Sequence, residues 1–111
     1  MANLYKLSVQ EALNASLGQA GSIFIDQATT DADATPLSGV FVAIQFIEDT
    51  IFGTLTAETS ELYPASNGTS TSVDANAGSN TSGQTFPQGV TIYGRWTTIN
   101  LTSGKIIAYV G

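Results

Sequence analysis

Val40-Phe41-Val42-Ala43-Ile44-Gln45-Phe46-Ile47 decides the fold. Read with the period of two that a strand imposes, it puts Val40, Val42, Ile44 and Phe46 on one face and Phe41, Ala43, Gln45 and Ile47 on the other. Both faces are largely apolar. Such a strand is covered on two sides, either at the centre of a sandwich or by a subunit contact on its second face. Glu48-Asp49 makes a turn and residues 50–56 run back, so residues 40–56 read as a β-hairpin.

A second dense block follows at residues 86–110. Within it Val90, Ile92 and Trp96 fall on one face and Tyr93, Ile99 and Leu101 on the other, with Gly94 allowing a bend or bulge opposite the indole. Thr102-Ser103-Gly104 is a tight turn. The last strand, residues 105–110, alternates Ile106, Ala108 and Val110 with Lys105, Ile107 and Tyr109, and ties the C-terminus into a sheet. Burial of Trp96, Phe41, Phe46 and Phe52, at about 1.5–3 kcal/mol per side chain, makes these two blocks the core.

Upstream, Ser22-Ile-Phe-Ile-Asp26 is a brief strand, followed by a polar loop over residues 27–36. Ser8 with Glu11 forms a capping-box pattern, and Val9, Ala12, Leu13 and Ala15 form a small stripe that Gly18 ends. Residues 1–20 therefore read as a short helix, or as an extended arm whose leucines dock on another subunit. Between the dense blocks, residues 64–85 are nearly all Ser, Thr, Asn, Gly and Ala, which cannot build a core and read as an exposed polar excursion. Asn67-Gly68 suits a hairpin tip. The expected architecture is all-β: a small β-sandwich or barrel over residues 21–111 with a short N-terminal arm or helix.

Composition narrows function. The chain has 111 residues, one domain's worth, with 42% hydrophobic but only 11% charged residues, against roughly 25% in ordinary soluble domains. Its surface is built from hydroxyls, amides and glycine, as suits a chain packed against neighbours. Three basic and nine acidic residues give a net charge of -6, the wrong sign for nucleic acid or anionic lipid. No apolar run is long enough for a membrane span, and the start lacks a secretory pattern, so synthesis in the cytoplasm is expected.

Histidine and cysteine are both absent. General acid–base work at neutral pH and thiol nucleophiles lean on those residues, so an enzyme is not expected. Asp26, Asp31 and Asp33 are the one acidic cluster with the look of a hard-cation site, but the glycine and distal glutamate of an EF-hand loop are missing, and a solvated loop is the plainer reading. Glu48 and Asp49 diverge as neighbours on a turn and read as that turn, not as a catalytic pair. Arg95 beside Trp96 reads as a rim salt bridge, with stacking on a sugar or aromatic partner as the alternative. Neither metal nor cofactor is expected.

Three stretches carry a resemblance: Phe41-Val-Ala-Ile-Gln-Phe-Ile-Glu-Asp-Thr-Ile-Phe-Gly-Thr-Leu-Thr, Phe86-Pro-Gln-Gly-Val-Thr-Ile-Tyr-Gly-Arg-Trp and Leu101-Thr-Ser-Gly-Lys-Ile-Ile-Ala-Tyr. In strand texture and in the Pro-x-Gly and Ser-Gly-Lys turns they resemble small structural proteins of tailed bacteriophages, some of them capsid decoration, or cement, proteins. The resemblance implies a homo-oligomeric virion component, a homotrimer, seated on the major capsid protein at the capsid exterior. On that reading Leu4, Tyr5 and Leu7 anchor an arm, and Phe41 and Ile47 bury an apolar face between subunits. A tail or fibre part, or a carbohydrate-binding β module, is the alternative.

Overall fold

The computed structural model describes residues 20–26, 34–76 and 78–111. The expected arm or helix, with Leu4, Tyr5 and Leu7, lies outside the described residues, as do Asp31 and Asp33. The architecture is all-β. The described residues form six strands: β1 (Ser22–Asp26), β2 (Phe41–Phe46), β3 (Thr50–Ala57), β4 (Thr85–Phe86), β5 (Thr91–Ser103) and β6 (Lys105–Val110). Their order is β1-β6-β2-β5-β3-β4, every neighbouring pair antiparallel.

The hairpin expected over residues 40–56 does not form. The turn is present, but β2 pairs with β6 and β5, and β5 lies between β2 and β3. Having both edges occupied, β2 has none left for β3. Its two-sided burial is real and arises within one chain: Val40, Phe41, Val42, Ala43, Ile44 and Phe46 are all buried.

Chain closure dictates the shape of β5. Thr91 pairs with Gln45, and Ser103 pairs with Ile51. Six residue steps lead from Gln45 to Ile51 and reach at most about 20 Å, whereas a straight β5 would hold Thr91 and Ser103 roughly 40 Å apart. The strand must bend. It bends around Trp96, whose register partner is Phe41 of β2 on one edge and Ala57 of β3 on the other. An extra β5 residue sits on each side of this pivot: Phe41 and Ala43 face Trp96 and Tyr93, while Thr56 and Ala57 face Thr98 and Trp96. Paired bulges at a corner let one strand pass between two facing layers.

These bulges also correct the expected faces. The extra residue at Thr97 shifts the parity of β5, so Ile99 and Leu101 join Trp96 in the core instead of facing away from it. Val42 is likewise an extra residue against β6, which puts Phe41 on the same side as Ile44 and Phe46. One cluster results, from Phe41, Ile44, Phe46, Phe52, Leu55, Trp96, Ile99, Leu101 and Ile106 with three alanines. Phe46 stacks on Phe86 at 5.1 Å, and Phe52 meets both rings edge-on at 5.8 and 5.4 Å. Trp96 folds its indole back over Gly94, where a Cβ would stand 2.8 Å from the ring.

The polar tract is partly structural. Its first turn closes over the core: Ala65 is buried, Tyr63 packs on the cluster, and the Trp96 indole N–H donates to the Pro64 carbonyl at 2.9 Å. Ser66 and Asn67 then act as a substitute strand along the outer edge of β3. The Leu55 N–H donates to Ser66 Oγ at 2.9 Å, the Ser66 N–H donates to the Leu55 carbonyl at 2.8 Å, and the Ala57 N–H donates to Asn67 Oδ1 at 3.1 Å. The Ala65 and Gly68 bridge encloses Ser66 and Asn67, so they, and not Asn67-Gly68, form the tip of this turn. Gly68 is required there because a Cβ would run into the Ser60 backbone. Residues 71–76 and 78–80 are exposed, as expected of the excursion.

Thr81 returns the tract to the core, its N–H donating to the Ala65 carbonyl at 3.1 Å. It is buried, and its hydroxyl has no partner among the described residues. An unmet buried hydroxyl costs about 1–3 kcal/mol. Thr81→Val, nearly the same shape, is therefore expected to raise the unfolding free energy by about 1 kcal/mol, read as a higher urea midpoint at constant slope.

Candidate functional site

Register assigns the two faces of the layer made by β1, β6, β2 and the first half of β5. Ile25 with Ile106, and Ile44 with Ala108 and Ile92, point to the core, while Ile23, the other register partner of Ala108, is 39% exposed at the margin of that side. The opposite face carries two rows across four strands. One is Phe24, Ile107, Gln45 and Thr91; the other is Ser22, Tyr109, Ala43 and Tyr93. Neither row contains a charge.

This face is apolar and open. Phe24 is 59% and Tyr93 66% exposed, with Ile107 and Tyr109 half-buried. Tyr93 and Tyr109 stand two strands apart, roughly 9–10 Å, with Ala43 between them. Ala43 is buried because tyrosines flank it on both sides. The Tyr109 hydroxyl donates to Gln45 Oε1 at 3.3 Å, linking the two rows.

Among the described residues, charge sits only at the margins of this face. Asp26 and Lys105 are register partners beside the first row, and Lys105 Nζ lies 3.5 Å from Glu48 Oε2. Past Tyr93, Arg95 grips Glu58 with both ends of its fork, Nε to Oε1 at 3.0 Å and Nη2 to Oε2 at 3.1 Å. The rim salt bridge expected for Arg95 is thus present. Trp96 is fully buried beside it and forms no stacking platform. An uncharged aromatic centre with a charged rim is the anatomy of a protein-binding patch.

The carboxylates are committed elsewhere. Glu48 meets Lys105, and Asp49 Oδ1 accepts from the Gln88 N–H at 2.9 Å, so the pair points two ways and fastens the link between β2 and β3. Among the described residues no three His, Cys, Asp or Glu side chains gather as a metal site would require. A cleft of about 310 Å³ opens at the far end of β1, lined by Ser22, Ile23, Pro36, Leu37, Phe41 and Val110.

Of the residues expected to touch a partner, Phe41 is 1% exposed and spent on the intramolecular core. It has no area to offer another subunit, because the Val42 bulge turns it inward. Ile47 is 37% exposed at the turn after β2. The open apolar surface is made instead by Phe24, Ile107, Tyr109 and Tyr93. The signal for it was the alternation that set Ile107 and Tyr109 opposite Ile106 and Ala108, and the same alternation sets Phe24 opposite Ile23 and Ile25. Comparison of the chain with protein-family models, with characterised proteins and with solved structures finds no match.

Proposed function

We propose that this protein is a non-enzymatic attachment module, a structural component of a tailed-phage virion that binds the outer shell as a decoration protein. The observation that carries the proposal is the uncharged aromatic face of Phe24, Ile107, Tyr109 and Tyr93. Burying aromatic surface is the main source of affinity in protein interfaces, and charges kept to the rim avoid a desolvation cost. Binding only the assembled lattice stabilises it, and repetition over many copies makes modest contacts large in total. Partners on this reading are the major capsid protein and further copies of the chain, with Leu4, Tyr5 and Leu7 as an arm.

Quantitative mass spectrometry of purified particles tests the assignment. Near parity with the major shell subunit is expected; a few copies per particle would make the chain a tail or vertex part, and its absence would remove it from the virion. Tyr93→Asp is expected to weaken shell binding at least tenfold while leaving the fold within about 0.5 kcal/mol of wild type, because Tyr93 is two-thirds exposed. Tyr5→Asp with Leu7→Asp separates the arm from the face: retained binding by that pair would exclude the arm.

One observation favours a second reading, a carbohydrate-binding module. Tyr93 and Tyr109 flank Ala43 on a flat sheet face, with the Gln45 amide beside them. Sugar rings stack on such platforms and take hydrogen bonds from an adjacent amide. Saturable binding to soluble glycans that Tyr93→Asp abolishes, without binding to shells, would replace the decoration reading with this one.

A further inference from the structure

Asn67 is the one asparagine of six that a glycine follows. Such a pair is open to a self-reaction in water, because the Gly68 nitrogen, with no side chain beside it, can attack the amide carbon Cγ of Asn67. The nitrogen gives its proton to a solvent base as the N–Cγ bond forms, and the Cγ–Nδ2 bond breaks to release ammonia, leaving a five-membered imide. Water then opens the imide. Cleavage at Cγ leaves aspartate, whereas cleavage at the Asn67 backbone carbonyl leaves isoaspartate, in which the main chain runs through the side chain and is longer by one carbon.

We infer that Asn67 is a modification site gated by the edge of β3: the closed cap suppresses imide formation, and local opening of the cap permits it. Several bonds pin the turn. The Ala57 N–H donates to Asn67 Oδ1 at 3.1 Å, the Leu55 N–H donates to Ser66 Oγ at 2.9 Å, the Ser66 N–H donates to the Leu55 carbonyl at 2.8 Å, and the Thr81 N–H donates to the Ala65 carbonyl at 3.1 Å. Imide closure needs Cγ and the Gly68 nitrogen nearly eclipsed about the Asn67 Cα–C bond, a backbone angle between the helical and extended wells that ordered residues avoid. Reaching it twists Gly68, which sits so close to the Ser60 backbone that even a Cβ would overlap it. The twist also draws Oδ1 away from the N–H of Ala57, a buried residue that has no other partner to offer it.

The two products act differently on the edge. Aspartate at position 67 still presents an oxygen to the Ala57 N–H, now in a charge-assisted bond, so the cap closes again. Isoaspartate adds a backbone atom to the tight turn that Ala65 and Gly68 close, and Gly68 has no space in which to take up the slack. The Ala57 N–H then loses its acceptor, and this part of the β3 edge stays unpaired. A transient opening is thereby made permanent. This inference does not rest on the proposed function.

Incubation of the full chain in mildly alkaline buffer, native and in urea, is the test, with peptide mass spectrometry reading the amide-to-acid conversion at each asparagine. In urea Asn67 is expected to convert before the other five; a different asparagine converting first overturns the site. In the native chain the rate at Asn67 is expected to fall by roughly tenfold or more, because only the open fraction reacts, and equal rates in the two states overturn the gate. Ser66→Ala removes the neighbouring pin and is expected to raise the native rate severalfold with the rate in urea unchanged; an unchanged native rate overturns the assignment of the gate to this edge. Should that variant fail to fold, the wild type at low urea supplies the second readout: conversion is expected to quicken before the circular dichroism changes, and a rate that follows global unfolding alone overturns local opening. Asn67→Asp is expected to keep the size of the wild type while the isolated isoaspartate chain grows into large species by light scattering. Equal behaviour of the two acids overturns the permanence of the opening.

Discussion

Trp96→Ala is expected to lower the unfolding free energy by about 3–5 kcal/mol, a large share of the 5–15 kcal/mol that holds a domain of this size together. Three losses combine at this residue. The indole is fully buried at the point where β5 passes from β2 to β3, so its removal opens a cavity between the layers. Its N–H holds the Pro64 carbonyl, so the first turn of the polar tract loses its tether. Its ring also covers Gly94, the residue whose missing side chain lets the strand turn there. Urea unfolding followed by far-ultraviolet circular dichroism measures the cost. Trp96→Phe keeps most of the ring and is expected to cost less than half as much. A loss below about 1.5 kcal/mol for the alanine variant would mean that the bend is held by the bulges alone.

The double replacement Ser66→Ala with Asn67→Ala is expected to cost about 2–4 kcal/mol, although both residues sit in a tract of surface-like composition. Each side chain satisfies a backbone N–H of β3, that of Leu55 or Ala57, and both strand residues are buried. Unmet, each N–H carries a desolvation penalty of about 1–3 kcal/mol. The second consequence is colloidal. With the cap gone, β3 presents an open edge on which further chains can pair. The double variant is therefore expected to form large species, seen by light scattering, at concentrations where the wild type does not. Loss of stability without growth in size would show that Ser66 and Asn67 hold the loop but do not terminate the sheet.

Both variants bear on the attachment role proposed above. A chain that works by contact needs one surface left apolar and the rest made safe. Here the outer face of β1, β6, β2 and the first half of β5 is left apolar, while hydroxyls and amides of the 64–85 tract close the far edge. Scarcity of charge, only 11% of residues, then follows from the use of Ser, Thr and Asn where other domains use Lys and Glu. Stability spent on bulges and caps controls which edge and which face can be joined.

The amino-acid sequence by itself determined where the longer strands lie, though not the two-residue β4, because alternation and turn residues are local signals. Ser22–Asp26 is a strand with those bounds, β2 is apolar on both sides, and β6 sets Ile106 and Ala108 inward against Ile107 and Tyr109 outward. It also put the four large aromatics Trp96, Phe41, Phe46 and Phe52 in the core, since each burial outweighs any local alternative. Tertiary structure alone decided which strands pair. The short link between β2 and β3 reads locally as a hairpin, yet β2 gains more by having β5 and β6 on its two edges, and that choice depends on residues far along the chain, Gln45 pairing with Thr91 and Phe41 with Val110. Bulges at Val42 and Thr97 reversed the faces of Phe41, Ile99 and Leu101, because one extra residue shifts a period of two by half a cycle. The same long-range closure turned Ser66 and Asn67 from loop residues into an edge cap: hydrogen-bonding capacity is written in a side chain, but its partner is supplied only when the chain folds back on itself.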